Sequence, residues 1–303
     1  MRTDQRLTEA YAGARVLDLD HASRYVIISD CHRGDGSHSD EFTKNQNIYL
    51  HALTRYYDEG FTYVEAGDGD ELWEQPKSQH IQNAHHIVFQ AIKRFHDVGR
   101  LVMLYGNHNI YLKNRAYVTN NYATYYDEHA QQTEDLLPGL DPCEAAVLRH
   151  RATGQDILVV HGHQGDFPND QFWLPTMLSV RYFWRFMHAF GFKNPASPVK
   201  NAHKQHKIER NYTKWIAQNR TMLVCGHTHR YKYPRDGELP YFNAGSCIYN
   251  TSMTAIEIAD GEVCLVRWGV LPNGDGELQV TRQVVHGPGR VGTFDIRDAE
   301  CTS

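Results

Sequence analysis

The stretch "LVMLYGNHN" (101–109) opens as a strand buried on both faces and closes on three polar side chains. Residues 101–105 are apolar or aromatic, Gly106 breaks the run, and Asn107, His108 and Asn109 stand where the chain should leave the core. An ordinary turn is content with Ser, Gly or Asp. An amide, an imidazole and a second amide side by side suggest a ligand instead. The same event recurs in "YVIISD" (25–30), "FTYVEAGD" (61–68), "ILVVHGH" (157–163) and "TMLVCGH" (221–227). Each run is short and non-alternating, as expected of doubly buried strands. Helical patterns separate the first of them, over 42–57 and over 81–95, where Ile81, Val88, Ile92 and Phe95 form an apolar stripe. That alternation predicts βαβ units and an α/β fold. After residue 240 the texture changes to "YFNAGSCIYN", "MTAIEI" and "EVCLVRW", broken by "ADG" and "PNGDG". These read as consecutive strands joined by tight turns. No internal repeat or low-complexity linker interrupts the chain, so residues 1–303 read as a single domain with a helical insertion at about 168–219. The Gly-rich tail from about 285 is expected to be poorly ordered.

Apolar content of 41% with 22% charged residues is that of a soluble globular protein. The first twenty residues carry charges throughout and do not read as a signal peptide. The most apolar stretch, 172–192, is interrupted by Arg181 and Arg185, so no transmembrane segment is expected. Six cysteines without a paired spacing predict no disulfide framework and a reduced, cytoplasmic setting. The net charge of −5 hides an asymmetry: residues 181–235 hold twelve Lys or Arg against one acid, Glu209. That segment is +11 and the remainder −16, which predicts a local anionic partner. A long polyanion would be repelled by the rest of the chain, so no stable nucleic-acid complex is expected.

In open α/β sheets, ligands bind outside the carboxyl ends of the strands. Those ends carry Asp30 and His32, then Asp68, then Asn107 and His108, then His161, and finally His227 with His229. One H-x-H means little among 19 histidines, but five successive strand-like runs ending in Asp, Asn or His are a pattern. Carboxylate, imidazole and amide oxygen together suit hard and borderline divalent metals. Seven ligands exceed one tetrahedral zinc and suit two ions sharing a carboxylate, ~3.5–4 Å apart. Two carboxylates against two divalent cations leave a positive site, matched to a phosphate ester.

"SDCH", "GDGDELW", "GNHN", "HGH" and "GHTH", in this order and each after a strand, resemble the signature of the calcineurin-like metallophosphoesterases. The resemblance covers 25 to about 250 and includes "NAGS" (243–246). It implies a four-layer α/β/β/α sandwich. It further implies that Asp30, His32, Asp68 and His229 hold one metal ion. Asp68 then bridges to a second, completed by Asn107, His161 and His227. Manganese is the first expectation for the pair, with iron, zinc or magnesium as alternatives. The implied reaction is hydrolysis of a phosphomonoester, phosphodiester or pyrophosphate by a hydroxide held on the metals, with His108 protonating the leaving oxygen or steadying the phosphoryl oxygens.

The chain departs from the family where a carboxylate usually follows the motif histidine: here the residue is Asn109, which orients a ring without stabilising its charge. It also lacks the arginine of the protein Ser/Thr phosphatases. Glu71 and Trp73 instead resemble the G-D-x-x-E-x-W of UDP-2,3-diacylglucosamine pyrophosphatases, which however carry arginine at the position of His108. The insertion is expected to form a basic and aromatic lid. Arg181, Arg185 and His188 would share one face beside Tyr182, Phe186 and Phe190, with Arg181 and Arg185 meeting substrate anions. A second helix near 199–216 carries Lys200, Lys204 and Lys207 opposite Ile208, Trp215 and Ile216. Such a lid suits a substrate with phosphate and an apolar or nucleotide portion. His163 is a candidate neighbour of the metals, Arg33 a candidate phosphate contact, and His85, His86, His203 and His206 read as surface or lid residues. Cys31 and Cys225 read as packing residues. The competing readings are a nuclease of the same superfamily and a binding module that has lost catalysis.

Overall fold

The computed structural model describes residues 3–127, 130–184 and 202–297. The five-stranded sheet runs in the order β1 (Arg15–Leu19), β7 (Ala145–His150), β8 (Asp156–Val160), β9 (Met222–Cys225) and β10 (Tyr241–Asn243). The six-stranded sheet runs β13 (Leu278–Arg290), β12 (Glu262–Pro272), β11 (Ser252–Ala259), β2 (Tyr25–Ile28), β3 (Thr62–Ala66) and β4 (Leu101–Leu104). β2, β3 and β4 are parallel, as are β8, β9 and β10. A short hairpin of β5 (Thr124–Asp127) and β6 (Gln132–Asp135) lies apart from both sheets.

Side-chain alternation along each buried strand sets the layers. In β2, Val26 and Ile28 enter the core beneath helices while Ile27 faces the other sheet. In β9, Met222 and Val224 face between the sheets and Leu223 and Cys225 face the opposite helices. Outside the six-stranded sheet pack α2 (Gln46–Asp58), α3 (Ser78–Ala84), α4 (His86–Asp97) and α5 (Arg115–Tyr122), the last capped by Asn114 accepting from Tyr117 N at 3.1 Å. Outside the five-stranded sheet pack α1 (Thr3–Ala12) and α8 (Ala202–Asn219). The result is a four-layer α/β/β/α order, the one expected from the strand-end motifs. Both groups of parallel strands direct their carboxyl ends to one edge of the sandwich, where the polar motifs lie.

Several local expectations need revision. The helix expected over 42–57 begins as a 3₁₀ turn, Phe42–Asn45. The helix expected over 81–95 breaks at His85, which is buried rather than on the surface, its ring held between Asp40 Oδ2 at 2.7 Å and Gln46 Oε1 at 2.6 Å. The tail is ordered past 285: β13 pairs with β12 to Arg290 and a 3₁₀ turn follows. The "ADG" turn is the tight one foreseen, with Asp260 and Gly261 both at positive φ, joining β11 to β12. In α8, Ile208, Trp215 and Ile216 pack on the five-stranded sheet beside Leu7 and Ala10 of α1, so this helix is an outer layer of the sandwich and not a lid. The preceding insertion contains the short α6 (Phe167–Asp170) and α7 (Trp173–Ser179). Arg185, Phe186, His188, Phe190 and Lys200 lie outside the described residues, as do the side chains of His203 and Lys204. Among the described residues no helix is long and apolar enough to cross a membrane.

Candidate metal centre

Four of the five strand-end motifs leave their sheets through left-handed residues, the exception being the β4 motif at Gly106–Asn109. Among the described residues, nine non-glycine positions have positive φ, and five of them are Asp30, His32, Asp68, His227 and His229. Asp and His tolerate this region better than most residues, yet it costs of order 1–3 kcal/mol per position. Such concentration at one edge marks a site where conformation is held for a purpose. The motif glycines serve the same end: a Cβ on Gly106 would overlap Asp68 Oδ1, and one on Gly226 would overlap Asp30 Oδ2.

Two clusters result. In the first, His229 Nε2 lies 3.0 Å and His32 Nε2 3.7 Å from Asp30 Oδ1, with the two ring nitrogens 3.1 Å apart. In the second, His161 Nε2 lies 3.1 Å from Asp68 Oδ2 and 3.2 Å from Asn107 Oδ1, and His227 completes the group. Asp68 Oδ2 is also 3.9 Å from His32 Nε2, so this carboxylate stands between the clusters. All seven residues named from the sequence therefore come together.

Their remaining atoms are tied back. Asp30 Oδ2 accepts from His227 N and Ser29 Oγ, and Asp68 Oδ1 accepts from His108 N at 2.8 Å. His161 Nδ1 donates to Ala66 O, and His227 Nε2 sits 3.1 Å from Asp166 Oδ2. The "NAGS" strand supports both loops: Asn243 Nδ2 donates to Gly226 O at 2.7 Å, and Ser246 Oγ donates to Asp30 O at 3.0 Å. Burial opposes charge on Asp30 and Asp68, but His229 beside the first and His161 beside the second hold both well below the usual carboxylate range.

The donor set fits divalent cations on an observation internal to the site. Asp30 Oδ1 is buried without a hydrogen bond, although two imidazole nitrogens converge on it. A buried acceptor left in this state is costly unless a cation satisfies it. Both clusters have the spacing of metal-ligand groups.

His108 is flanked as the sequence did not foresee. Its Nδ1 lies 2.7 Å from Glu71 Oε1, and the other oxygen of Glu71 lies 2.8 Å from His32 Nδ1. The His108 ring stacks on Trp73 at 4.3 Å between centroids and meets the edge of His32 at 4.7 Å. Burial works against the charge on Glu71, and the imidazoles of His108 and His32 overcome it, holding the carboxyl at about 2. Asn109 instead closes the turn, its Oδ1 accepting from Gly106 N at 2.6 Å. The missing carboxylate is thus supplied from residue 71.

Other candidates fall elsewhere. Arg33 is fully buried, paired with Glu65 at 2.7 Å and Asp70 at 2.6 Å, and is not a phosphate contact. Arg181 donates to Trp73 O at 2.9 Å and Leu72 O at 3.0 Å, fastening the insertion to the Glu71 loop. His163 is buried against His161, 5.5 Å between centroids. Burial pushes the Cys225 thiol up to about 12, so it is a poor nucleophile. The residues missed by sequence reasoning were Asp166, a plain acid in a loop, and Glu65 and Asp70, whose pairing with Arg33 is a matter of tertiary proximity.

No protein-family model and no curated protein matches the chain. Among solved structures, it is similar to a conserved uncharacterized protein, a predicted phosphoesterase, of Streptococcus pneumoniae (13% identity, TM-score 0.36, covering 86% of this chain and 97% of that one). It is also similar to Vps29 of Chaetomium thermophilum (9% identity, TM-score 0.38, 87% and 97%). Likenesses this remote bear on neither activity nor substrate.

Proposed function

We propose that the chain is a phosphoesterase working with two divalent metal ions, manganese foremost, on a phosphomonoester, phosphodiester or pyrophosphate. Asp30, His32, Asp68 and His229 would hold one ion, and Asp68, Asn107, His161 and His227 the other. The observation that carries this reading is the convergence of both clusters on Asp68, beside an Asp30 oxygen that no hydrogen bond satisfies. The ions would supply Lewis-acid charge for the phosphoryl oxygens and a water of lowered pKa.

The chain's own residues do the rest. Two carboxylates, with a neutral amide at Asn107 in place of a third, leave the loaded site cationic and matched to a phosphate. His108 stands beside both clusters with its Nδ1–H donating to Glu71, so in the doubly protonated ring Nε2–H is the group that hands a proton to the leaving oxygen, leaving the neutral ring with its proton on Nδ1. The test is elemental analysis of purified protein before and after manganese loading, followed by hydrolysis of p-nitrophenyl phosphate and bis-p-nitrophenyl phosphate. About two ions per chain are expected. Asp68→Ala should lose the second ion and, at several kcal/mol of lost charge stabilisation, on the order of 10³–10⁴-fold in rate. A variant with full activity would overturn the ligand assignment.

A further inference from the structure

We propose that Glu71 is a positioning residue that serves His32 and His108 together, one carboxylate setting the ring orientation of a metal ligand and of the proton donor. The inference rests on the phosphoesterase reading for its kinetic consequence but not for its geometry. An ionised carboxylate only accepts hydrogen bonds. With Oε1 at 2.7 Å from His108 Nδ1 and Oε2 at 2.8 Å from His32 Nδ1, it fixes the proton of each ring on Nδ1. The Nε2 of His32 then carries its lone pair toward Asp30 and His229. Outer carboxylates commonly fix the tautomer of metal-ligating histidines. Here a single carboxylate also holds a second, non-ligating ring.

Its own position is over-determined. Glu71 N donates to Arg33 O at 3.0 Å, so the residue after His32 grips the residue that holds His32. Arg33 Nε donates to Asp70 Oδ1 at 2.6 Å, locking the two loops side by side. Two residues on, Trp73 lies flat against His108, and Arg181 fastens the carbonyls of Leu72 and Trp73 from the insertion. Asn109, the sequence neighbour expected to steer His108, has its acceptor committed to Gly106 N. The linkage means that disturbing His32 disturbs His108, and that the insertion reaches both through one loop.

Glu71→Gln keeps one acceptor oxygen and Glu71→Ala keeps none. In metal-free protein, nitrogen-15 NMR of the imidazoles should show hydrogen-bonded Nδ1–H signals for His32 and His108. Both should be lost in Glu71→Ala, and at most one should survive in Glu71→Gln. Unchanged signals in Glu71→Ala overturn the proposal whatever the activity. Manganese should bind Glu71→Ala at unchanged stoichiometry with affinity lower by about 10–100-fold. The three groups His32, Glu71 and His108 could themselves hold an ion, and a stoichiometry that falls by one in Glu71→Ala with no loss of the Nδ1–H signals would make Glu71 a ligand and overturn the proposal. In turnover, Glu71→Gln should cost about 10²-fold on an alkyl phosphate ester, whose leaving oxygen needs a proton, and less than ~10-fold on a p-nitrophenyl ester. Equal losses on both esters would leave Glu71 a merely structural residue. Wild-type protein inactive on every ester would sink the phosphoesterase reading, while the NMR signals would still decide the role of Glu71.

Discussion

Of the two ligand clusters, Asp68, His161 and His227 are buried, whereas His32 and His229 beside Asp30 keep 11% and 10% of their side chains exposed. The buried cluster is steadied by Ala66 O at the end of β3 and by Asp166 in the loop after β8, and its nearest extra imidazole is His163. The exposed cluster is steadied from the six-stranded sheet by Glu71, and its nearest extra imidazole is His108, 22% exposed. Two similar sets of donors thus have opposite surroundings. On the proposed phosphoesterase reading, the difference would give holding to the deep half and contact with substrate to the shallow half.

The strongest way to break that comparison is to remove the extra imidazole from each half in turn. His108→Gln should lose about 10²–10⁴-fold in kcat, at unchanged metal content, if the ring donates a proton in the transition state. His163→Gln should change kcat little. Burial, with His161 and His227 close by, pushes His163 well below its ordinary value, so it is neutral and sealed from substrate. Comparable losses in kcat from the two variants, measured on one alkyl ester, would erase the distinction between the halves.

The deep half was the more legible in the sequence. Apolar runs such as "ILVVHGH" and "TMLVCGH" state both the strand and the ligand that ends it, because a strand buried on both faces has no other reason to finish on imidazole. The shallow half was read only in part. Asp30 and His32 were evident, but the partner of His108 was sought at residue 109 and lies at 71, since hydrogen bonding follows proximity across loops and not chain spacing. Arg33 and His85 were read as accessible for the same reason: a charged side chain beside a motif or on a helix does not announce the acids that bury it. The basic segment misled in another way. Its charge was counted along the chain, yet Arg181 spends its donors on the backbone of Leu72 and Trp73, and α8 turns its apolar face to the sheet.

A second test addresses what keeps the shallow half in place. Arg33→Met would leave Glu65 and Asp70 buried without their cation, a loss of about 3–5 kcal/mol in urea unfolding. The pair of half-exposed Arg149 with Asp156 is the control, and Arg149→Met should cost far less than Arg33→Met because solvent screens the pair. Similar costs would mean that the buried network contributes no more than a surface pair, and that the loops bearing His32 and Asp68 are held by packing alone.

The smallest expected effect concerns the far end of the His32 loop, where Asp40 accepts from Gly36 N at 2.9 Å and meets His85 at 2.7 Å. Burial raises the Asp40 carboxyl, but His85 and the amides of Gly36 and Gly34 outweigh it, so the group ionises below its ordinary value. A depressed folded pKa binds fewer protons than the unfolded chain does, so the stability it gives is fully present above the unfolded value of about 4 and is lost as pH falls through the folded one. Wild-type protein should therefore exceed Asp40→Asn in stability by a constant margin above about pH 5, and that margin should shrink as the pH is taken below 4. Hydrogen exchange at the amides of Gly34 and Gly36 should rise over the same interval, while the amides around His161 in the deep half stay protected. A margin that does not change with pH would detach Asp40 from the charge balance of this loop and leave its role to hydrogen-bond geometry.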